Sequence, residues 1–167
     1  QKNIYGKVYK KVYKNLVFSI YQNNIYIADN IGFIYSINFD TGKLNWIKNH
    51  EIPLKSNIKV DKNKIFLINQ DNRLLCFDAK DGSKVWDIRG ISSFIKLQNF
   101  LSLALTKQGD VVALNSSGDL INANANTGRI NWAINVTGSI YVDATDFFRS
   151  SDLVVDEENV IFSARSS

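Results

Sequence analysis

The residues able to do chemistry in this 167-residue chain are few, and their spacing brings none of them together. His50 is the only histidine, so no histidine pair can hold a metal. Ser/His/Asp catalysis would have to run through it, and no nucleophile-elbow glycine pattern presents a serine. Standing after the apolar segment that carries Trp46, His50 is expected on a solvent-exposed loop. Cys76, the only cysteine, can form neither an internal disulfide nor a multi-thiolate zinc site. It lies in an apolar run and is expected as a buried small residue, with nothing nearby to mark a nucleophile. The groups Asp71, Asn72, Asp78 and Asp81 lack the oxygen-ligand spacing and terminal glutamate of a calcium loop. No glycine-rich phosphate loop is present either. The reading is a segment that stacks and presents surface, with no catalytic, cofactor-binding or metal-binding residue.

Composition narrows the class. With 45% hydrophobic, 12% aromatic and 22% charged residues, the chain reads as globular and not as a disordered tail. One proline and nine glycines exclude collagen-like or proline-rich sequence. No run of about 18 apolar residues would span a membrane as a helix. The net charge of +4 raises the question of nucleic acid. Lys7, Lys10, Lys11 and Lys14 cluster early, however, and Asp143, Asp146, Asp152, Asp156, Glu157 and Glu158 make the end acidic. Nowhere do basic residues alternate with aromatics as a single-strand platform requires, so no nucleic-acid partner is expected.

The elements that position these residues come from a repeat. Asp40-Thr41-Gly42-Lys43-Leu44-Asn45-Trp46 recurs as Lys80-Asp81-Gly82-Ser83-Lys84-Val85-Trp86 and as Asn126-Thr127-Gly128-Arg129-Ile130-Asn131-Trp132. The glycines at 42, 82 and 128 are 40 and 46 residues apart, and each tryptophan follows its glycine by four. Upstream, Ile25-Tyr26-Ile27-Ala28-Asp29 aligns with Ile65-Phe66-Leu67-Ile68-Asn69 and Val111-Val112-Ala113-Leu114-Asn115. A fourth copy begins at Val160-Ile161-Phe162.

Each copy reads as four short strands. In the second they are expected at residues 57–60, 65–68, 73–77 and 84–88, with a turn at residues 61–63 and a tight hairpin at Asp81-Gly82. The unbroken apolar run from Ile65 to Ile68 implies burial on both faces. Strands rich in β-branched and aromatic residues, without helical periodicity, make the chain all-β. A four-stranded unit of about 40 to 45 residues is the mark of a β-propeller blade. A β-solenoid has shorter repeats, and helical arrays of similar period need helix formers that are scarce here.

The repeated glycine supplies the positive φ of the hairpin. The repeated tryptophan is a wedge between neighbouring blades, with one N–H to satisfy. A ligand cage is normally built once per protein, whereas Gly42, Trp46, Gly82, Trp86, Gly128 and Trp132 recur in every copy, which marks them as structural.

The segment from Asn38 to Trp46, with its relatives at Asp78 to Trp86 and Asn124 to Trp132, resembles the tryptophan-docking repeat of PQQ-type β-propellers. Within that superfamily, Val60-Asp61-Lys62-Asn63-Lys64-Ile65-Phe66-Leu67-Ile68-Asn69-Gln70-Asp71-Asn72-Arg73 is most similar to blades of the BamB family of outer-membrane assembly lipoproteins. The resemblance runs from Leu16 onward. It implies an antiparallel propeller and no cofactor. It further implies a non-enzymatic periplasmic scaffold, tethered by an N-terminal lipid outside this segment, that binds the BamA-type barrel insertase and unfolded outer-membrane proteins. The other branch, the quinoprotein dehydrogenases, carries an adjacent cysteine pair beside its cofactor, which a lone Cys76 does not supply. A dehydrogenase fragment and a propeller of unknown ligand stand as alternatives.

Partner contacts are expected in the two inter-blade segments longer than a turn needs, residues 89–98 and 138–151. In the second, Arg149-Ser150-Ser151-Asp152 is similar to an Arg-x-Ser-Asp segment at the BamA-binding face of the family, which nominates Asp152 with Arg149. Phe94, Lys96 and Leu97 in the first are a further nomination, since exposed aromatics beside charges make interface anchors. Phe147 and Phe148 in the second segment have two readings, as interface anchors or simply as caps of the blade edge. The expected blades are residues 16–50, 56–90 and 99–137, with another starting at 152–167, where a closed propeller of this kind needs about twice as many. Both ends read as cut, and two open blade faces predict poor solubility in isolation.

Overall fold

Successive side chains of a strand point to opposite faces, so a run such as Ile65-Phe66-Leu67-Ile68 needs a covering layer on each side. The computed structural model, which describes residues 11–89, 101–136, 149–150, 152–156, 159–162 and 164–165, provides both layers. Ile65 and Leu67 enter one apolar cluster, Phe66 and Ile68 another, and none is more than 1% exposed.

Three four-stranded antiparallel meanders carry this pattern. The first blade is β1 (Leu16–Tyr21), β2 (Asn24–Asp29), β3 (Phe33–Asn38) and β4 (Leu44–Asn49). The second is β5 (Lys59–Asp61), β6 (Lys64–Ile68), β7 (Arg73–Asp78) and β8 (Lys84–Arg89). The third is β9 (Ser102–Leu105), β10 (Asp110–Leu114), β11 (Asp119–Asn124) and β12 (Ile130–Asn135). Strand order follows chain order in each. A further hairpin pairs β13 (Arg149–Ser150) with β16 (Ala164–Arg165) and β14 (Val154–Asp156) with β15 (Asn159–Ile161). The described residues contain no helix.

The core lies between sheets. Tyr26, Ala28 and Ile34 of the first blade meet Ile65, Leu67 and Phe77 of the second. Phe66, Leu74 and Cys76 on the second blade's other face meet Leu103, Val111 and Ala113 of the third. Val112, Leu114 and Leu120 then meet Leu153, Val155 and Val160 of the hairpin. First strands neighbour one another from blade to blade (β1 with β5, β5 with β9, β9 with β14), so the sheets fan out from a shared inner side. The result is a partial propeller. On the first blade's far face Leu16, Phe18 and Ile20 are more than half exposed.

The strands of the second blade fall within two residues of the sequence reading, and two features differ for local reasons. The second blade's first strand starts at Lys59 and not at Asn57. There the Ser56 hydroxyl accepts from the Ile68 N–H at 2.8 Å and donates to the Asn57 carbonyl at 2.7 Å, taking the place of ladder bonds. The Asp81-Gly82 hairpin is a four-residue loop and not a two-residue turn: Asp78 N–H donates to Ser83 O, and Gly82 N–H returns to Asp78 O, both at 2.8 Å. The Asp78 carboxylate steadies it by accepting from Lys80 N–H at 2.7 Å. In the other two blades the amide oxygens of Asn38 and Asn124 steady the loop by accepting from the N–H groups of Thr41 and Thr127.

The aligned residues Asp29, Asn69 and Asn115 prove to be buried turn-formers between the second and third strands. Asp29 Oδ1 accepts from the N–H groups of Ile31, Gly32 and Phe33, each at 2.9 Å. Asn69 accepts from Asp71 and Arg73, and Asn115 from Ser117 and Asp119. Where the first and third blades place Gly32 and Gly118 in this turn, the second has Asn72, buried at φ 59°. Its side chain reaches the third blade, accepting from Ser116 Oγ at 2.8 Å and donating to Ser117 Oγ at 3.3 Å. Asn72→Gly keeps the backbone conformation and strands the buried Ser116 hydroxyl. A loss of about 1–3 kcal/mol in urea denaturation is expected, and an unchanged midpoint would show that this polar clasp adds nothing.

Candidate functional site

Junctions between blades are the places where side chains from different repeats converge. In β4, β8 and β12 one residue is bulged out of register: Asn45, Val85 and Asn131 are skipped in the pairing with the third strand. Each bulge lies next to the tryptophan and sets its direction. Trp46 and Trp86 cross to the following blade, where their Nε1–H groups donate to the carbonyls of Ala79 at 3.1 Å and Ala125 at 3.2 Å. The ring of Trp46 lies so close to Gly82 that a Cβ there would come within 2.5 Å of Cζ3. Gly128 stands in the same relation to Trp86, at 2.8 Å from Cδ2. The glycine thus answers two demands, a positive φ and the tryptophan face, of which the sequence displays only the first. Trp132, in the same slot of the third blade, is 39% exposed.

Of the nominated contact residues, Asp152 lies exposed at the entry to the last hairpin. Its carboxylate accepts from Ser102 Oγ at 3.4 Å, and the same oxygen receives Leu153 N–H at 2.8 Å, so Asp152 sits at the junction with the third blade. Arg149 is in β13 opposite Arg165. Phe94, Lys96, Leu97, Phe147 and Phe148 fall outside the described residues.

His50 is not the solvent-exposed loop residue expected from its position. The chain folds back after β4, and the ring packs on Phe77 of the second blade with centroids 4.2 Å apart. Nε2 is buried and has no hydrogen-bond partner among the described residues. Burial first, and then the charges of Lys48 and Lys84, hold its pKa below the usual 6.5, while the Gly82 backbone pulls the other way by less. The unfolded chain therefore binds a proton, just below pH 6.5, that the folded chain refuses. Stability owed to the neutral ring is present above that pH and is lost as pH falls toward the depressed folded value. Urea midpoints are expected to drop on acidification through this window, and His50→Gln should flatten that part of the profile. A variant with an unchanged slope would assign the drop to other groups.

His50 also lines a groove of about 450 Å³ at the junction of the first two blades. Leu75 and Phe77 form its buried base, with Ile52 at the side and Arg73, Lys84, Asp87 and Arg89 around them. Asp87 joins Arg73 and Lys84, the latter at 2.7 Å, and those two hydrogen bonds, Lys84's first, hold its carboxyl below the ordinary carboxylate range. Cys76 is fully buried, and its thiol is pushed up to about 12 by that burial, which keeps it protonated and unreactive. Among the described residues no group of three or more His, Cys, Asp or Glu side chains could hold a metal ion.

Four-stranded blades stacked face to face and locked by a tryptophan on the next blade's hairpin define a β-propeller of the tryptophan-docking, PQQ-like class. The profile of the family described as outer membrane protein assembly factor BamB matches residues 14–167, and the chain belongs to that family. It is 22% identical over 135 residues to the outer membrane protein assembly factor BamB of Moranella endobia (strain PCIT), a match covering 74% of this chain and 33% of the relative. The crystal structure of BamB from Moraxella catarrhalis superposes with a TM-score of 0.59 at 16% identity, over 80% of this chain and 40% of that one. Quinohemoprotein alcohol dehydrogenase from Comamonas testosteroni superposes at 0.56 with 19% identity, over 71% and 20% of the two chains. The chain thus spans a third to two fifths of the BamB proteins it matches, and these structural likenesses concern the fold.

Proposed function

We propose that the chain is a non-enzymatic part of an outer-membrane β-barrel assembly scaffold, acting in the periplasm. In this reading it binds a BamA-type insertase, and unfolded barrel substrates, through its inter-blade segments. The observation that carries this reading is the family match over residues 14–167. The position of Asp152 supports it: an exposed carboxylate fixed at a blade junction by Ser102 offers a partner a charge at a defined place. Arg149, and Phe94, Lys96 and Leu97 in the other long segment, complete the proposed contact set. Asp152→Arg is expected to reduce co-purification with the barrel partner while leaving the thermal unfolding transition in place, and Asp152→Asn, which keeps an acceptor for Ser102, should fall between. Full retention by the arginine variant would remove Asp152 from the interface. Titration with pyrroloquinoline quinone, an alcohol substrate and a dye acceptor addresses the dehydrogenase alternative, and quinone uptake with substrate-dependent dye reduction would replace the scaffold reading.

A further inference from the structure

Residues that recur in every blade build the propeller, so a cluster that breaks the repeat points to something made once. The groove beside His50 is such a cluster. Lys84 and Asp87 of the second blade occupy the slots of Leu44 and Ile47 in the first and of Ile130 and Ala133 in the third. Arg73 and Arg89 likewise stand where Phe33 and Asn49, and Asp119 and Asn135, stand in the other blades. Among the three described blades, four charges have therefore taken the place of apolar, neutral polar or oppositely charged groups at one junction only.

Their arrangement selects a ligand. Asp87 is engaged by two cations, Arg73 and Lys84, and Arg89 adds a third at the same groove. Cations exceed carboxylates there even when Asp71 is counted. Beside them Ile52 offers exposed apolar surface, at 37%, while Leu75 and Phe77, 6% and 0% exposed, form the packed floor beneath. A cavity of about 450 Å³ is larger than an inorganic anion needs and falls in the range that takes a small organic group or two adjoining side chains. We propose that this groove binds an extended peptide segment of a protein partner through an acidic side chain next to an apolar one. The carboxylate meets Lys84, Arg89 and Arg73, and the apolar group covers Ile52. Arg73 is suited to this because its planar fork can serve Asp87 and a second carboxylate together. The proposal stands independently of the outer-membrane role.

Titration of the protein with acetyl-Phe-Asp-Phe-amide, followed by NMR or calorimetry, tests it against acetyl-Phe-Asn-Phe-amide, equal in shape and lacking the charge. The aspartyl peptide is expected to bind about tenfold or more tighter, to weaken with added salt, and to lose that advantage in the Lys84→Gln/Arg89→Gln double variant. Arg129→Glu, which changes charge on the remote third hairpin, should bind as the parent does. Thermal melting of each variant confirms that the propeller is intact. Equal binding of the two peptides by the parent would overturn the proposal. So would retention of the preference by a folded double variant. Binding of 3-phenylpropionate as tight as that of the peptide would overturn the assignment to a peptide segment.

Discussion

Gly82→Ala is expected to destabilise the protein clearly more than Gly42→Ala, although the two glycines hold the same slot of the same hairpin. Both have a left-handed backbone, with φ 74° and 64°, so an added Cβ costs each about 1–2 kcal/mol. At Gly42 the cost ends there, because no atom of the described residues beyond its chain neighbours lies within 4 Å of where the Cβ would stand. At Gly82 the Cβ would lie 2.5 Å from Cζ3 of Trp46 and 2.9 Å from Lys48 Cγ. Lys48 is flexible and can move aside. Trp46 is held by the Ala79 carbonyl and by Tyr26, so ring or hairpin must shift, at a further cost of about 1–3 kcal/mol. Urea denaturation of the two variants measures the difference directly. A cycle with Trp46→Ala isolates its cause, since removing the ring should make Gly82→Ala no worse than Gly42→Ala. Equal losses in the two glycine variants would show that the hairpin adapts and that glycine is there for φ alone.

That contrast marks how far the sequence could be read. The repeat exposed the blades because its signal, a glycine followed four residues later by tryptophan, recurs with strands of the right length between. Burial of β6 on both faces was legible for the same reason: an unbroken apolar run has no polar side to offer solvent. The target of the tryptophans was not, because the acceptors are the backbone carbonyls of Ala79 and Ala125, and a carbonyl has no side-chain signature. The bulges at Asn45, Val85 and Asn131 were hidden inside a constant spacing that includes them. His50 was misplaced because its burial depends on Phe77, 27 positions away in another blade.

The charged groove was half legible. Aligning the three copies puts Lys84 and Asp87 opposite aliphatic residues, and this departure can be seen without coordinates. What sequence leaves out is that residues from β7, from β8 and from the segment after β4 line one cavity. In a repeat protein the conforming positions identify the fold, and the exceptions mark the places to look for binding.

Trp86→Ala is expected to be far more damaging than Trp132→Ala, although the sequence makes the two tryptophans look equivalent. Trp86 packs with Phe66, centroids 5.9 Å apart, against the cluster between the second and third blades, and donates to Ala125 O. Removing the indole opens a cavity there, which costs about 3–5 kcal/mol. Trp86→Phe retains most of the ring and loses the N–H, so about 1 kcal/mol is expected from the stranded carbonyl, with some packing loss besides. Trp132→Ala, at a ring already 39% exposed, should cost less than half as much as Trp86→Ala. Blades couple to their neighbours alone, so the damage should also be local. Hydrogen exchange in the Trp86→Ala variant is expected to rise in β10 and β11 and at the Gly128 hairpin, while the Trp46–Ala79 junction keeps its protection. Exchange rising equally at both junctions would mean that the blades unfold as one unit, and the wedges would then have to be treated as parts of a single cooperative core.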